Sequence, residues 1–300
     1  MELVIGTDLL DEGRRVSAAV DRLFEDVLAD RCDGRDQLCQ AMRHAAIGGG
    51  KRLRPLLTVA AGRLFAMDED RTVRAGTAVE AIHVYSLIHD DLPCMDDDDL
   101  RRGKPTVHKA FDEATAVLAG DCLHALAFEL LADQDTHEDP FVRAELVLEL
   151  SKASGIDGMA GGQMMDLTAQ GHDLDLGAIT RLQSLKTGAL IEFAVEAATI
   201  MARVPPEGRL PLKGYARNVG LAFQIADDLL DLEGDEVVAG KRLHKDAEAG
   251  KATFVSLMGE ERARAQAKLL VEQAVEHLHD HGREADLLRA IARYAVERDR

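Results

Sequence analysis

The chain has 300 residues, 46% of them hydrophobic, which is enough to bury a large core. Its formal net charge is −18, only 4% of its residues are aromatic, and it has no Trp. That balance excludes nucleic acid and an anionic membrane surface as partners, since both need a basic footprint, but a phosphate ligand needs only a local basic cluster.

Ala and Leu are abundant, and long β-branched runs and evenly spaced strand signals are missing, so the fold class reads as all-α. The expected architecture is one helical bundle of roughly ten to thirteen helices around a central cavity, with residues 1–300 as a single domain. Cys32, Cys39, Cys94 and Cys122 have no C-x-x-C spacing and read as reduced thiols. No basic-then-apolar leader and no apolar run near 18 residues stands out, so the expected place is the cytoplasm, without stable membrane insertion.

Val16, Val20, Leu23, Phe24, Val27 and Leu28 recur at helical spacing and predict a first helix ending near Asp30. Leu38, Met42 and Ala45 predict a second over 36–47, stopped by Gly48-Gly49-Gly50, a triplet able to take positive φ. Lys51, Arg52 and Arg54 follow, with Pro55 at a plausible first helical position. Three cations beside glycines in so acidic a chain suit a diphosphate, although surface Lys and Arg are common.

In EAIHVYSLIHDDLPCMDDDDLRRGKP (80–105), His83 and Asp90 lie seven residues apart, two helical turns, and so share a face. Pro93 ends the helix close to Asp90 and Asp91. Asp96 to Asp99 follow, and carboxylates this dense repel one another unless a cation joins them. Mg2+ takes one or two carboxylates and completes its octahedron with water and phosphate oxygens. Arg101 and Arg102 come next, suited to holding phosphate oxygens in a fork.

Residues 106–132 predict a helix or a pair, 133–140 a polar loop, and 141–154 another helix. GMAGGQMMDL (158–167) reads as helix packing. Lys186-Thr187-Gly188 interrupts an apolar helix over 178–201, where a lone Lys would ordinarily snorkel. After Pro205-Pro206, a helix over 212–232 carries Asp227 and Asp231 at i, i+4, with Gln224 on the same stripe. Phe223, Ile225, Leu229 and Leu230 surround that stripe, which is no ordinary solvent face. Two acidic clusters on separate helices point to metal bound from two walls of one cavity. Residues 234–250 read as a charged loop and 251–299 as three more helices.

Asp-Asp-(four residues)-Asp at 90–96 followed by LRRG, and Asp-Asp-x-x-Asp at 227–231, resemble the two aspartate-rich motifs of the trans-polyprenyl diphosphate synthases. The likeness runs from GGGKRLRP (48–55) to GKATF (250–254) and is nearest to the bacterial short-chain farnesyl diphosphate synthases. It implies two or three Mg2+ ions, with Mn2+ as the alternative, and isopentenyl and allylic diphosphates (dimethylallyl, geranyl) as substrates. A homodimer is implied as well. Asp90, Asp96 and Asp227 are the implied direct ligands, and Asp91, Asp228 and Asp231 act behind them or through water. Lys51, Arg54, His83 and Arg102 match the pocket of the homoallylic diphosphate, and Arg101 and Lys186 that of the allylic one. Thr187 and Gln224 would stabilise the allylic cation, and Lys241, Asp246 and Lys251 would close over the phosphates. Gln163 and Asp166 match a Gly-Gln-x-x-Asp-Leu pattern of open role. Tyr85, an aromatic five residues before Asp90, resembles the C15-specific pattern, with Ser86 small beside it; a C20 product is the alternative. A class I terpene cyclase is disfavoured by the all-aspartate DDLLD, and a non-catalytic partner subunit by the intact set of cations.

Overall fold

The computed structural model describes residues 2–29, 33–169, 174–233 and 253–297, with side chains from residue 9. Lys241, Asp246, Lys251 and Cys32 lie outside the described residues. The helices are α1 (Glu2–Val27), α2 (Asp36–Ala46), α3 (Leu53–Arg63), α4 (Glu69–Asp90), α5 (Val107–Ala110), α6 (Glu113–Ala132) and α7 (Pro140–Ser154). They continue with α8 (Met159–Ala169), α9 (Leu176–Gln183), α10 (Ala189–Met201), α11 (Leu210–Glu233), α12 (Phe254–Met258), α13 (Glu260–Glu276) and α14 (Asp286–Glu297). The described residues thus hold fourteen α-helices, one more than the expected upper bound. Periodicity alone hides the breaks at Phe111-Asp112 and within 178–201.

α4 is the axis of the bundle. From Thr72 to Ile82 it is buried on all sides, as a helix apolar all round must be. Asp68 caps its start by accepting from the Arg71 backbone N–H, and it ends at Asp90, as Pro93 requires. It packs chiefly against α6 and α3, with α1 and α10 behind. Two glycines set the spacing. A Cβ on Gly76 would come within 2.8 Å of Pro55 Cα on α3, and one on Gly120 of α6 would run into the His89 ring. Pro55 is therefore the third residue of α3 rather than its first, seated against α4.

The one β-ribbon among the described residues pairs Leu100–Arg101 (β1) antiparallel with Lys104–Pro105 (β2). Arg102 (φ 54°) and Gly103 (φ 76°) form its turn, the positive-φ pair that a two-residue hairpin favours. α6 is long and apolar enough to cross a membrane by length and composition, which the sequence reading did not pick out. In the fold its Ala116, Leu123, Ala127 and Leu130 face is buried, against α4, α2 and α7.

The expected helix over 178–201 is not continuous. α9 and α10 are joined by a π-turn over Ser184–Gly188 that contains Lys186 and Thr187. Gly162 of α8 explains how close the turn can come: a Cβ there would lie within 2.6 Å of Lys186 Cα. A π-turn of this kind often marks a functional site.

Candidate active site

A cavity of about 340 Å3 opens between α4, α8 and the π-turn. Its lining is mixed, with Arg54, His83, Asp90, Gln163, Lys186 and Thr187 polar and Tyr85, Met159, Met164 and Leu167 largely apolar. His83, Ser86 and Asp90 line it together, as their shared helical face predicts. The Tyr85 ring is gripped edge-on by His89 (5.7 Å between centroids) and by His124 of α6 (5.0 Å). His124 in turn meets Phe128 at 5.1 Å.

On the α4 wall, Asp90 accepts a hydrogen bond from Gln163 Nε2 at 2.9 Å. Burial pushes its carboxyl up to about 6, with Lys186 pulling the other way. Asp91 is 3% exposed, and burial raises it too. It is held by Arg101, whose Nε donates at 3.0 Å and whose Nη2 reaches Asp91 and also Asp98 at 3.3 Å. Asp96 is exposed, its backbone N–H bonded to Asp90 O at 2.8 Å. No three of these carboxylates converge with others into a ready cation cage among the described residues.

The facing wall is one hydrogen-bonded relay. Thr187 Oγ1 donates to Gln224 Oε1 at 3.4 Å, and Gln224 Nε2 donates to Asp228 Oδ1 at 3.0 Å. Phe254 N donates to Asp228 Oδ2 at 2.9 Å. Asp228 is thereby buried and turned inward, tying α11 to α12 and the π-turn, while Asp227 and Asp231 are half-buried. Lys186 Nζ pairs with Asp166 Oδ2 at 2.6 Å. The α8 pattern read as simple packing therefore serves both walls, through Gln163 on Asp90 and Asp166 on Lys186.

Behind the α4 wall the cations gather. Arg102 lies across the glycines, with Nη1 donating to Gly49 O at 3.0 Å, and a Cβ at Gly50 (φ +80°) would come within 2.6 Å of its Nη2. Arg101 and Arg102, neighbours in sequence, thus turn to opposite sides. Burial lowers the Arg54 guanidinium from its usual range, and its Nε has no hydrogen-bond partner among the described residues. Burial first, then Arg54 and Arg102, hold His83 well below its usual range, so it stays neutral. Lys51 opens instead into a second cavity, of about 410 Å3, beside Leu53, Phe223 and Tyr294.

Beneath this cluster lie Glu80 and Asp21, which sequence reasoning missed, and Arg52, which it grouped with the diphosphate cations and which turns inward instead. Arg52 (φ 47°) is 2% exposed, and it donates to Glu80 Oε1 at 2.8 Å, to Asp21 Oδ1 at 2.8 Å, and to Ala46 O. Its guanidinium also stands 5.9 Å over the Phe24 ring. The available signal was Glu80, a carboxylate inside an otherwise apolar stretch of α4, one turn before His83. Removing one partner of so buried a pair costs about 3–5 kcal/mol.

A family model described as polyprenyl synthetase matches residues 35–293. The farnesyl diphosphate synthase of Escherichia coli (strain K12) is 45% identical over 266 residues, 87% of this chain and 89% of that protein. Geranylgeranyl pyrophosphate synthase 11, chloroplastic, of Arabidopsis thaliana is 46% identical over 245 residues, 80% of this chain and 68% of that one. Among solved structures, an FPP/GFPP synthase from Zymomonas mobilis has a TM-score of 0.90 at 57% identity, with 97% of this chain and 100% of that chain covered.

Proposed function

The chain belongs to the polyprenyl synthetase family, and from that premise we propose that it condenses isopentenyl diphosphate head-to-tail with dimethylallyl and then geranyl diphosphate to give farnesyl diphosphate. The observation that carries this reading is the polarity of the α4–α8 cavity. Arg54, Asp90, Lys186 and Thr187 share its lining with Tyr85, Met159, Met164 and Leu167, charged groups for a diphosphate and apolar ones for a hydrocarbon in one space.

The donor set on the two walls is all carboxylate, the set a hard divalent cation takes. Asp90 holds its proton up to about 6, the mark of a buried carboxylate short of positive charge. Asp90, Asp96 and Asp227 would hold two or three Mg2+ ions, with Asp91, Asp228 and Asp231 supporting them. Asp91 and Asp228 suit that supporting part, because Arg101, Gln224 and Phe254 N already engage them. When bound, the metal neutralises charge growing on the departing diphosphate.

The chain's own groups do the rest. Lys186 and Arg101 meet the allylic diphosphate, so its bond to carbon breaks against fixed positive charge. The Thr187–Gln224 pair presents its dipoles to the allylic cation left behind. Arg54 and Arg102, with Lys51 reaching over from the second cavity, orient isopentenyl diphosphate so that its double bond attacks that carbon, and His83 adds a hydrogen bond. The new carbon–carbon bond forms, the proton passes to the released diphosphate, and apolar lining keeps water from quenching the cation. Tyr85 closes the tail end after fifteen carbons. The assembly is a homodimer, a reading that rests on the family alone.

Feeding C5, C10 and C15 allylic diphosphates with labelled isopentenyl diphosphate tests the proposal, the products being sized after phosphatase treatment. C15 is the expected end point. The Zymomonas mobilis relative, named for both FPP and GFPP, makes elongation of the C15 substrate the specific outcome against it. Turnover without isopentenyl diphosphate would point to a cyclase instead.

A further inference from the structure

We propose that Glu80 is the positioning residue of the homoallylic pocket, its single oxygen Oε1 setting both the loop 48–54 and the Arg102 side chain. The inference rests on the assignment of that pocket made above, and it concerns a residue that touches no substrate. Glu80 lies on α4 one turn before His83, with its side chain 2% exposed. Arg52 Nη1 donates to Oε1 at 2.8 Å, and Arg102 Nη2 stands 3.7 Å from the same atom.

Each of the two arginines grips the glycine loop at a different point. Arg52 bonds Ala46 O and Asp21, and Asp21 Oδ2 accepts from the Gly48 N–H at 3.2 Å. Arg102 bonds Gly49 O and lies against Gly50. Residues 46 to 50 are thus held from both sides by cations that converge on one carboxylate. Arg52 also adopts a left-handed backbone conformation, uncommon for a residue with a side chain, so something must hold it there. Its inward side chain fixes the register of its neighbours, and Lys51 is exposed while Arg54 turns to the α4 cavity.

The charges lead to the same residue. Arg52, Arg54 and Arg102 crowd a region from which water is largely excluded, where like charges repel strongly. Glu80 and Asp21 supply two negative charges against the three positive ones, and Glu80 is the buried one of the pair. The pocket can therefore fold before its anion arrives and still carry the net positive charge that attracts a diphosphate. At 3.7 Å Arg102 is paired with Glu80 by charge but beyond hydrogen-bond distance. It can thus turn a donor toward a phosphate while Arg52 keeps the anchor.

Glu80→Gln keeps the shape and removes the charge. The expected result is a KM for isopentenyl diphosphate raised about tenfold to a hundredfold, the weight of one charge-assisted contact, with the allylic KM changed less than about threefold. Glu80→Asp, which keeps the charge, should recover part of the loss. In an Arg102→Ala background Glu80→Gln should cost less than it does alone, the remainder being the loop it holds through Arg52. Hydrogen exchange of the substrate-free protein should show faster exchange across 46–54 in Glu80→Gln, whatever the pocket binds. Unchanged exchange there, or equal rises in both KM values, overturns the proposal. So does a lowered melting temperature with both KM values unchanged, which is a purely structural role. Arg54→Ala serves as the control: if it leaves the isopentenyl diphosphate KM unmoved, the pocket assignment fails, and the exchange experiment still decides what Glu80 does. If Glu80→Gln does not fold, Glu80→Asp is carried through the same measurements, and wild-type exchange and KM values in it overturn the proposal.

Discussion

Around loop 48–54, three guanidiniums share one buried carboxylate, Glu80. Across the cavity the balance is reversed, with Asp90, Asp91 and Asp166 set against Lys186 and Arg101. Among the described residues the loop side carries more cations than carboxylates, and the α8 side more carboxylates than cations. A diphosphate alone can complete the first, because its oxygens replace water around groups already positive. It cannot complete the second, where it would meet carboxylates, so the α8 side needs metal and diphosphate together. The comparison predicts that the two substrates differ in how far their binding depends on metal.

Stripping the metal is the strongest way to test that difference. EDTA is expected to abolish turnover reversibly and to remove binding of an unreactive allylic analogue, while calorimetry still detects isopentenyl diphosphate. Asp90→Ala and Asp227→Ala should each lower kcat by a factor of about a thousand or more with the far-UV dichroism unchanged. Full activity in a dialysed, metal-free preparation would sink the metal-assisted mechanism, and equal loss of both ligands would sink the comparison.

Single cations give the next largest effect. Arg54→Ala should raise the KM for isopentenyl diphosphate, and Lys186→Ala the KM for the allylic substrate, each by about ten- to a hundredfold. Lys186→Ala also breaks the ion pair with Asp166 on α8, so its kcat should fall further than that of Arg54→Ala. If each variant moved both KM values alike, the two regions would not be separate pockets.

Most of the acidic half of this comparison is legible in the sequence, because local spacing decides it. Pro93 must end α4, seven residues must put His83 and Asp90 on one face, and i, i+4 must align Asp227 with Asp231. What the spacing cannot give is pairing between distant segments. Arg52 and Glu80 are 28 positions apart, and nothing in GGGKRLRP tells which cation turns inward. The same limit hides the π-turn, since Ser184–Gly188 keeps helical composition and only contact with Gly162 shows how it is seated. Asp166, matched to a family pattern of open role, becomes readable once Lys186 is seen beside it.

The packing under the α8 side offers a smaller perturbation with its own control. Gly162→Ala forces a methyl group against Lys186 and should cost about 1–3 kcal/mol of stability, as overpacking does. It should also raise the allylic KM, because the π-turn must shift, and leave the isopentenyl diphosphate KM alone. Gly76→Ala, crowding Pro55 instead, should lower stability by a similar amount without favouring either KM. Identical kinetic profiles for the two variants would mean that the π-turn tolerates displacement.

The smallest effect on rate, and the clearest on product, is expected at Tyr85, which belongs to neither charged region. Its ring is half-buried in the lining of the cavity, held edge-on by His89 and His124. A hydrocarbon growing from a diphosphate between Asp90 and Lys186 must run along α4, and Tyr85 lies five residues, about 7.5 Å, back along its axis. Tyr85→Ala removes the ring without touching a charged group, so the turnover of the C5 substrate should stay within about tenfold of wild type. The tail would then pass between α4 and α6 toward His124 and Phe128, and products of C20 or longer should appear. Tyr85→Phe keeps the ring in place and should still stop at C15. A Tyr85→Ala enzyme that stops cleanly at C15 would move the floor of the cavity to another residue, with His124 the next side chain in the path.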